Sequence, residues 1–201
     1  MVKQSNKERR KMKREAILES ARKVFSEKGL IDVTMKDIIE ECGISRGGIY
    51  LYFDSVDEIF IETLKQRTTR KFDGIRSAVQ ENVPFEELLD TYLASHKDRL
   101  LNHIDSSLLR PMYEYYFTHK SEQAYQFQQS QLETTTQTIQ EILYLGVRQN
   151  ILKDKALDKI AENYMFVIEG LGILALTGGI TEEQIASQFR IMKSLLPRMD
   201  S

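Results

Sequence analysis

Ser45-Arg46-Gly47-Gly48, followed by Tyr50 and Tyr52, is the stretch whose residue types can do the most chemistry. It offers a guanidinium, a serine hydroxyl and two phenols around two glycines. A guanidinium can pair with a guanine edge or grip a phosphate, and hydroxyls can donate to phosphate oxygens. Two glycines near a helix start cost about 1 kcal/mol each relative to alanine. Folding alone would not select them, but they let backbone come close to another molecule. The stretch suits a double-stranded nucleic acid. The plainer alternative is a glycine-rich turn with tyrosines half-packed in a core.

Groups with catalytic potential are poorly assembled. His96 and His103 stand seven apart, two turns on one helical face, and His119 stands elsewhere; none has carboxylates at metal-ligand spacing. Ser20-Ala21-Arg22-Lys23 fits a Ser-x-x-Lys pattern on a charged helix with no supporting motif. No glycine loop able to cradle a phosphate is present. The expectation is a protein that is not an enzyme and uses no metal and no cofactor.

The elements around Ser45 are two short helices and the start of a third, within residues 34–60. Thr34 can cap the first, with Asp37 supplying the reciprocal side chain and Ile38 and Ile39 an apolar face. Cys42-Gly43 ends it, glycine taking the left-handed conformation at little cost. Ser45 caps the second after a turn of a few residues. A helix, a tight turn and a second short helix make a helix-turn-helix, whose second helix enters the DNA major groove.

Residues 16–60 resemble the DNA-binding domain of the TetR family of bacterial transcriptional regulators. The resemblance rests on Thr34 at the start of the second helix and the turn Gly43-Ile44-Ser45. It continues through a Leu-Tyr-x-Tyr/His-Phe-like run at 49–53 and a Ser-Lys-Glu-Glu-Leu-like helix start at 55–59. It covers roughly residues 12–64 without a gap. Val56 stands where the family usually has a phosphate-holding lysine, so loss of that contact is expected. Gly48 replaces a commoner threonine, serine or alanine. The resemblance implies Ser45, Arg46, Gly47 and Gly48 at bases, with Thr34, Lys36, Tyr50 and Tyr52 at phosphates. It also implies a long lever helix after Ser55, a homodimer and a small-molecule effector.

Composition is compatible. The chain has 201 residues, 41% hydrophobic and 29% charged, enough for one large or two small domains. One cysteine, Cys42, makes an intramolecular disulfide impossible. The charged, polar start has no secretory core, and the apolar run at 171–176 is too short for a bilayer. A cytoplasmic protein without membrane contact is expected. The net charge of −2 divides into +4 over residues 1–53 and −6 over the rest. A basic head on an acidic body suits a DNA reader joined to a domain with another task. Residues 1 to about 8 form a basic arm, able to follow phosphates or to act only as a solvated tail.

The fold expected is all-α: a helix-turn-helix DNA-binding domain at 1–53 and a helical ligand-binding and dimerisation domain at 54–201. A first helix spans about 11–28 and stops at Gly29. Ser55 and Glu58 open a long helix to about Gln80, and Pro84 breaks it. Helices follow at about 85–104, around Pro111, at 121–150, at 157–177 and from Thr181. Aromatic and methionine residues gather between Tyr92 and Phe166. Tyr92, Met112, Tyr113, Tyr116, Phe117, Tyr125 and Phe166 are candidates for a ligand pocket, although aromatics at helical spacing more often form core. Glu114 and Glu169 could favour a cationic ligand. The helix at 157–177, apolar over most of its surface, needs cover. Tyr164, Ile168, Leu171, Ile185, Phe189, Met192 and Leu196 are the expected dimer interface. The function expected is a repressor released from a near-palindromic operator by a small molecule. The alternative is a DNA-binding regulator whose body is a protein-interaction module without an inducer.

Overall fold

Most helices begin at a side chain able to cap them. In the computed structural model, which describes residues 5–199, α1 spans Asn6–Lys28. Ser5 caps it reciprocally with Glu8, the two bonds being 3.2 and 2.8 Å long. Of residues 1–8, expected to be a basic arm, Ser5 is this cap and 6–8 are helical, while residues 1–4, with Lys3, lie outside the described residues. Ile17, Leu18, Ala21, Val24 and Phe25 form the buried face of α1.

α2 spans Met35–Cys42 and α3 Arg46–Ile49. α4 spans Val56–Gln80. Ser55 Oγ accepts from the Glu58 amide at 3.1 Å, but the Glu58 carboxylate accepts from Asp54 rather than from Ser55. Pro84 carries no capping side chain for α5, Phe85–Asn102; Gln149 accepts from the Phe85 amide instead, at 2.8 Å. α6, Leu109–Thr118, holds Pro111 in its first turn, where a missing amide hydrogen costs no intrahelical bond. α7 is Glu122–Arg148, α8 Leu157–Leu176 and α9 Glu182–Ser194, the last opened by a Thr181–Gln184 capping box. Among the described residues there is no strand; an isolated antiparallel bridge pairs Leu152 with Arg198. The protein is all-α.

The chain packs as two compact units. The head unit is Met1–Arg67 with Asp105–Lys120, so α6 belongs to it. Its core joins Ile17, Phe25, Ile38, Ile49, Phe53 and Phe60, and Phe60 packs edge-on to Phe25 at 5.0 Å. The body unit is Thr68–Ile104 with Ser121–Ser201. There α5, α7, α8 and α9 share a core including Phe85, Leu89, Ile142, Ala161, Tyr164 and Ile185. No helix of the described residues is long and apolar enough to cross a membrane.

Candidate nucleic-acid interface

Two caps and a glycine set α2 and α3. Thr34 accepts from the Asp37 amide at 3.4 Å, and Asp37 accepts from the Thr34 amide at 2.8 Å. Lys28, at the end of α1, reaches the same carboxylate at 2.5 Å. The Lys28 ammonium, and after it the Thr34 hydroxyl and amide, hold the Asp37 carboxyl well below the usual carboxylate range. A depressed folded-state value stabilises the fold above the ordinary pKa, and that contribution is lost as pH falls toward the folded value. Asp37→Asn should therefore flatten the acid limb of Tm against pH below about pH 4. Parallel acid limbs for the two proteins would contradict this.

Gly43, at φ 64°, ends α2 and donates to Ile39 O at 3.0 Å. Ser45 then caps α3 by accepting from the Gly48 amide at 3.1 Å. α3 is one turn, anchored by Ile49 (0% exposed), with Phe53 (1% exposed) buried just beyond it. With these two buried, Arg46, Gly47 and Tyr50 are left exposed. The two glycines are not equivalent. A Cβ at Gly48 would lie 3.1 Å from Ser45 Oγ and crowd the cap, whereas one at Gly47 would meet nothing within 4 Å. Gly48 thus has an internal reason, and Gly47 has none.

The eight residues expected to touch DNA all lie in the head unit. Ser45, Arg46, Gly47 and Gly48 form the start of α3, and Ser45 is committed to capping through its oxygen but keeps its hydroxyl hydrogen. Thr34 and Lys36 are exposed at the start of α2, with Lys36 Nζ 3.6 Å from Glu40. Tyr52 is half-buried, its ring 5.9 Å from the Arg10 guanidinium. Arg9, Arg10 and Lys13 line a groove of about 430 Å³ with Leu51 and Tyr52. Leu51, 72% exposed, was not singled out by the sequence; a leucine in a run of aromatics carries no outward signal. Arg14 is not part of this cationic set. It pairs with Glu62 at 2.6 Å and lies over the Phe53 ring. Cys42 is half-buried, and burial pushes its thiol up, so it stays protonated at neutral pH.

α6 is fastened to the turn between α1 and α2 by Glu114. Its carboxylate accepts from the amides of Leu30 and Ile31, the latter at 3.2 Å, and pairs with Arg110 at 2.7 Å. Glu114 is thus spent on the α1–α2 turn, which corrects the expectation that it could attract a cationic ligand. His119 also reaches Asp57 at 3.1 Å, and Phe60 packs on Tyr115.

The expected pocket residues separate. Met112, Tyr113, Tyr116 and Phe117 lie on α6 in the head unit; Tyr92, Tyr125 and Phe166 lie in the body unit. Tyr92, Met112 and Tyr116 are buried, and Tyr113 is half-buried. Phe117, Tyr125 and Phe166 are 69%, 48% and 61% exposed, so they do not line an enclosed cavity. The expected dimer residues need a correction. Tyr164, Ile168, Leu171, Ile185, Phe189, Met192 and Leu196 are all buried by their own chain, and Tyr164 donates its hydroxyl to Met192 O. The open apolar side chains on the same two helices are Phe166, Ile173, Leu174 and Ile191. Among the described residues no three histidine, cysteine or acidic side chains gather to hold a metal ion.

A capped α2, a tight glycine turn and an α3 with an exposed arginine define a helix-turn-helix DNA-binding protein. The family model described as bacterial regulatory proteins, tetR family, matches residues 17–63. The chain is 31% identical over 173 residues to the uncharacterized HTH-type transcriptional regulator YfiR of Bacillus subtilis, covering 82% of this chain and 80% of that one. It is also 31% identical over 88 residues to the HTH-type transcriptional repressor AcnR of Corynebacterium diphtheriae, covering 44% and 43%. A structure described as a transcriptional regulator from Saccharomonospora viridis, in complex with choline, shares the fold. Its TM-score is 0.74 at 21% identity, over 94% of this chain and all of that one. The chain belongs to the TetR family of transcriptional regulators, and it is not an enzyme.

Proposed function

We propose that this regulator is a homodimeric repressor, released from a near-palindromic operator when a small molecule binds its helical body. The observation that carries the DNA-reading part is the start of α3. Arg46 is exposed and engaged in no ion pair among the described residues, beside a Gly47 whose bareness serves no internal packing. Arg46 reads a base edge, with Ser45, Gly47 and Gly48 allowing close approach. Thr34, Lys36, Tyr50 and Tyr52 hold phosphates, joined by Arg9, Arg10 and Lys13. The dimer face is the exposed apolar set Phe166, Ile173, Leu174 and Ile191, because a partner can cover only what the chain itself leaves open. Repression follows the reading of AcnR, and a small-molecule site in the body follows the choline complex. α4 runs from head to body, and α6 is pinned to the head by Glu114. These two helices are the covalent routes by which an occupied body would shift the head, through differential affinity for two states.

Arg46→Ala should weaken specific binding by about 1–3 kcal/mol with Tm unchanged. Fluorescence anisotropy on DNA from upstream of the protein's own gene, with a scrambled duplex as control, measures it. Unchanged affinity on the specific duplex would remove Arg46 from the reading surface.

A further inference from the structure

Inside the body unit a polar cluster interrupts the apolar core. His96 on α5 is buried, and two cations converge on its ring. Lys71 Nζ lies 2.6 Å from Nε2, and Arg99 Nη2 lies 2.9 Å from Nδ1. A neutral imidazole has one acceptor nitrogen and an imidazolium has none, while ammonium and guanidinium only donate. At least one of the two contacts therefore sets a donor against a donor. An anion close by would relieve that arrangement.

One turn earlier stands Tyr92, 3% exposed, its ring tilted against His96 at a centroid distance of 4.7 Å. Its hydroxyl is buried with no hydrogen-bond partner, a costly state for a polar group. Burial pushes the phenol well above its ordinary pKa, with Arg99 and Glu169 acting on it electrostatically in opposite senses. It is therefore a neutral donor awaiting an acceptor. The ring face that a quaternary ammonium would occupy is already taken, because Lys71 Nζ lies 4.7 Å from the Tyr92 centroid.

We infer that Tyr92, His96, Arg99 and Lys71 form the anchoring end of the effector site, and that the effector carries a carboxylate. This rests on the small-molecule reading above and narrows its chemistry. Tyr92 and Arg99 donate to the carboxylate, and Lys71 supplies charge. The rest of the ligand is apolar, as is usual for such sites.

Thermal shifts of the full-length protein test this with octanoate and benzoate, their neutral counterparts octanol and benzamide, and choline. The acids should raise Tm and lower operator affinity, and the other three should not. Tyr92→Phe, which keeps the ring, should raise the ligand-free Tm by about 2–4 °C and weaken acid binding about tenfold. A merely structural hydroxyl would not give both effects. Neutral compounds or choline matching or exceeding the acids would overturn the anionic site and leave the small-molecule reading standing. A fall in ligand-free Tm for Tyr92→Phe would also overturn the site. No response to any compound, in Tm or operator affinity, would remove the small-molecule reading and this inference with it.

Discussion

Glu114→Ala is expected to destabilise the head unit by about 2–4 kcal/mol, a large effect for a residue outside the helix-turn-helix. The carboxylate accepts two backbone amides, Leu30 and Ile31, and an arginine. Hydrogen bonds to charged groups contribute about 1.5–3 kcal/mol net, and a buried amide left unpaired adds its desolvation cost. Leu30 is buried, so its amide has little water to turn to. Glu114→Gln, which keeps an acceptor without the charge, should lose about half as much. Urea unfolding followed by circular dichroism measures both. Because the α1–α2 turn precedes Thr34, operator affinity should fall with the same ranking. Equal stability of wild type and Glu114→Ala would show that the turn holds itself.

Gly29→Ala is the second large effect, at about 2–4 kcal/mol. Gly29 has φ 83° and ψ −162°, a region that is nearly glycine's alone and costs other residues about 1–3 kcal/mol. A Cβ there would also lie 2.5 and 2.7 Å from the two Glu114 carboxylate oxygens. The two positions must therefore couple. In Gly29→Ala/Glu114→Ala the clash is gone and only backbone strain and lost hydrogen bonds remain. The double variant should be about 1 kcal/mol more stable than the sum of the single effects predicts. Strict additivity would mean that the Glu114 side chain moves aside freely.

The helices were legible in the sequence because their ends are local chemistry. Thr34 with Asp37, Ser45 before Gly48, Thr181 with Gln184, Gly43 and Pro84 each act within four residues. The start of α3 was legible for the same reason, although the crowding of the Ser45 cap that a side chain at Gly48 would cause was not. Contacts between distant segments were not legible. Glu114 lies more than eighty residues from the amides it accepts, and nothing in its neighbourhood distinguishes it from an acid facing water. The two faces of α8 show a different limit. Tyr164, Ile168 and Leu171 share one face, and Phe166, Ile173 and Leu174 are also apolar. Periodicity marks such a helix as needing cover on both sides but cannot say which side its own chain supplies. The exposure of three of the candidate pocket aromatics was hidden for a related reason: composition gathers Phe117, Tyr125 and Phe166 but does not orient them.

Sequence-specific reading of DNA by α3 is tested most directly by a footprint of the purified protein upstream of its own gene. It is run at about 50 and about 200 mM salt, because phosphate contacts release counterions. The expected result is a protected near-palindrome whose half-sites lie about one helical turn, or a multiple of it, apart, with protection weakening at the higher salt. Protection without sequence preference, at either salt, would contradict it and leave a basic head that only follows the phosphate backbone.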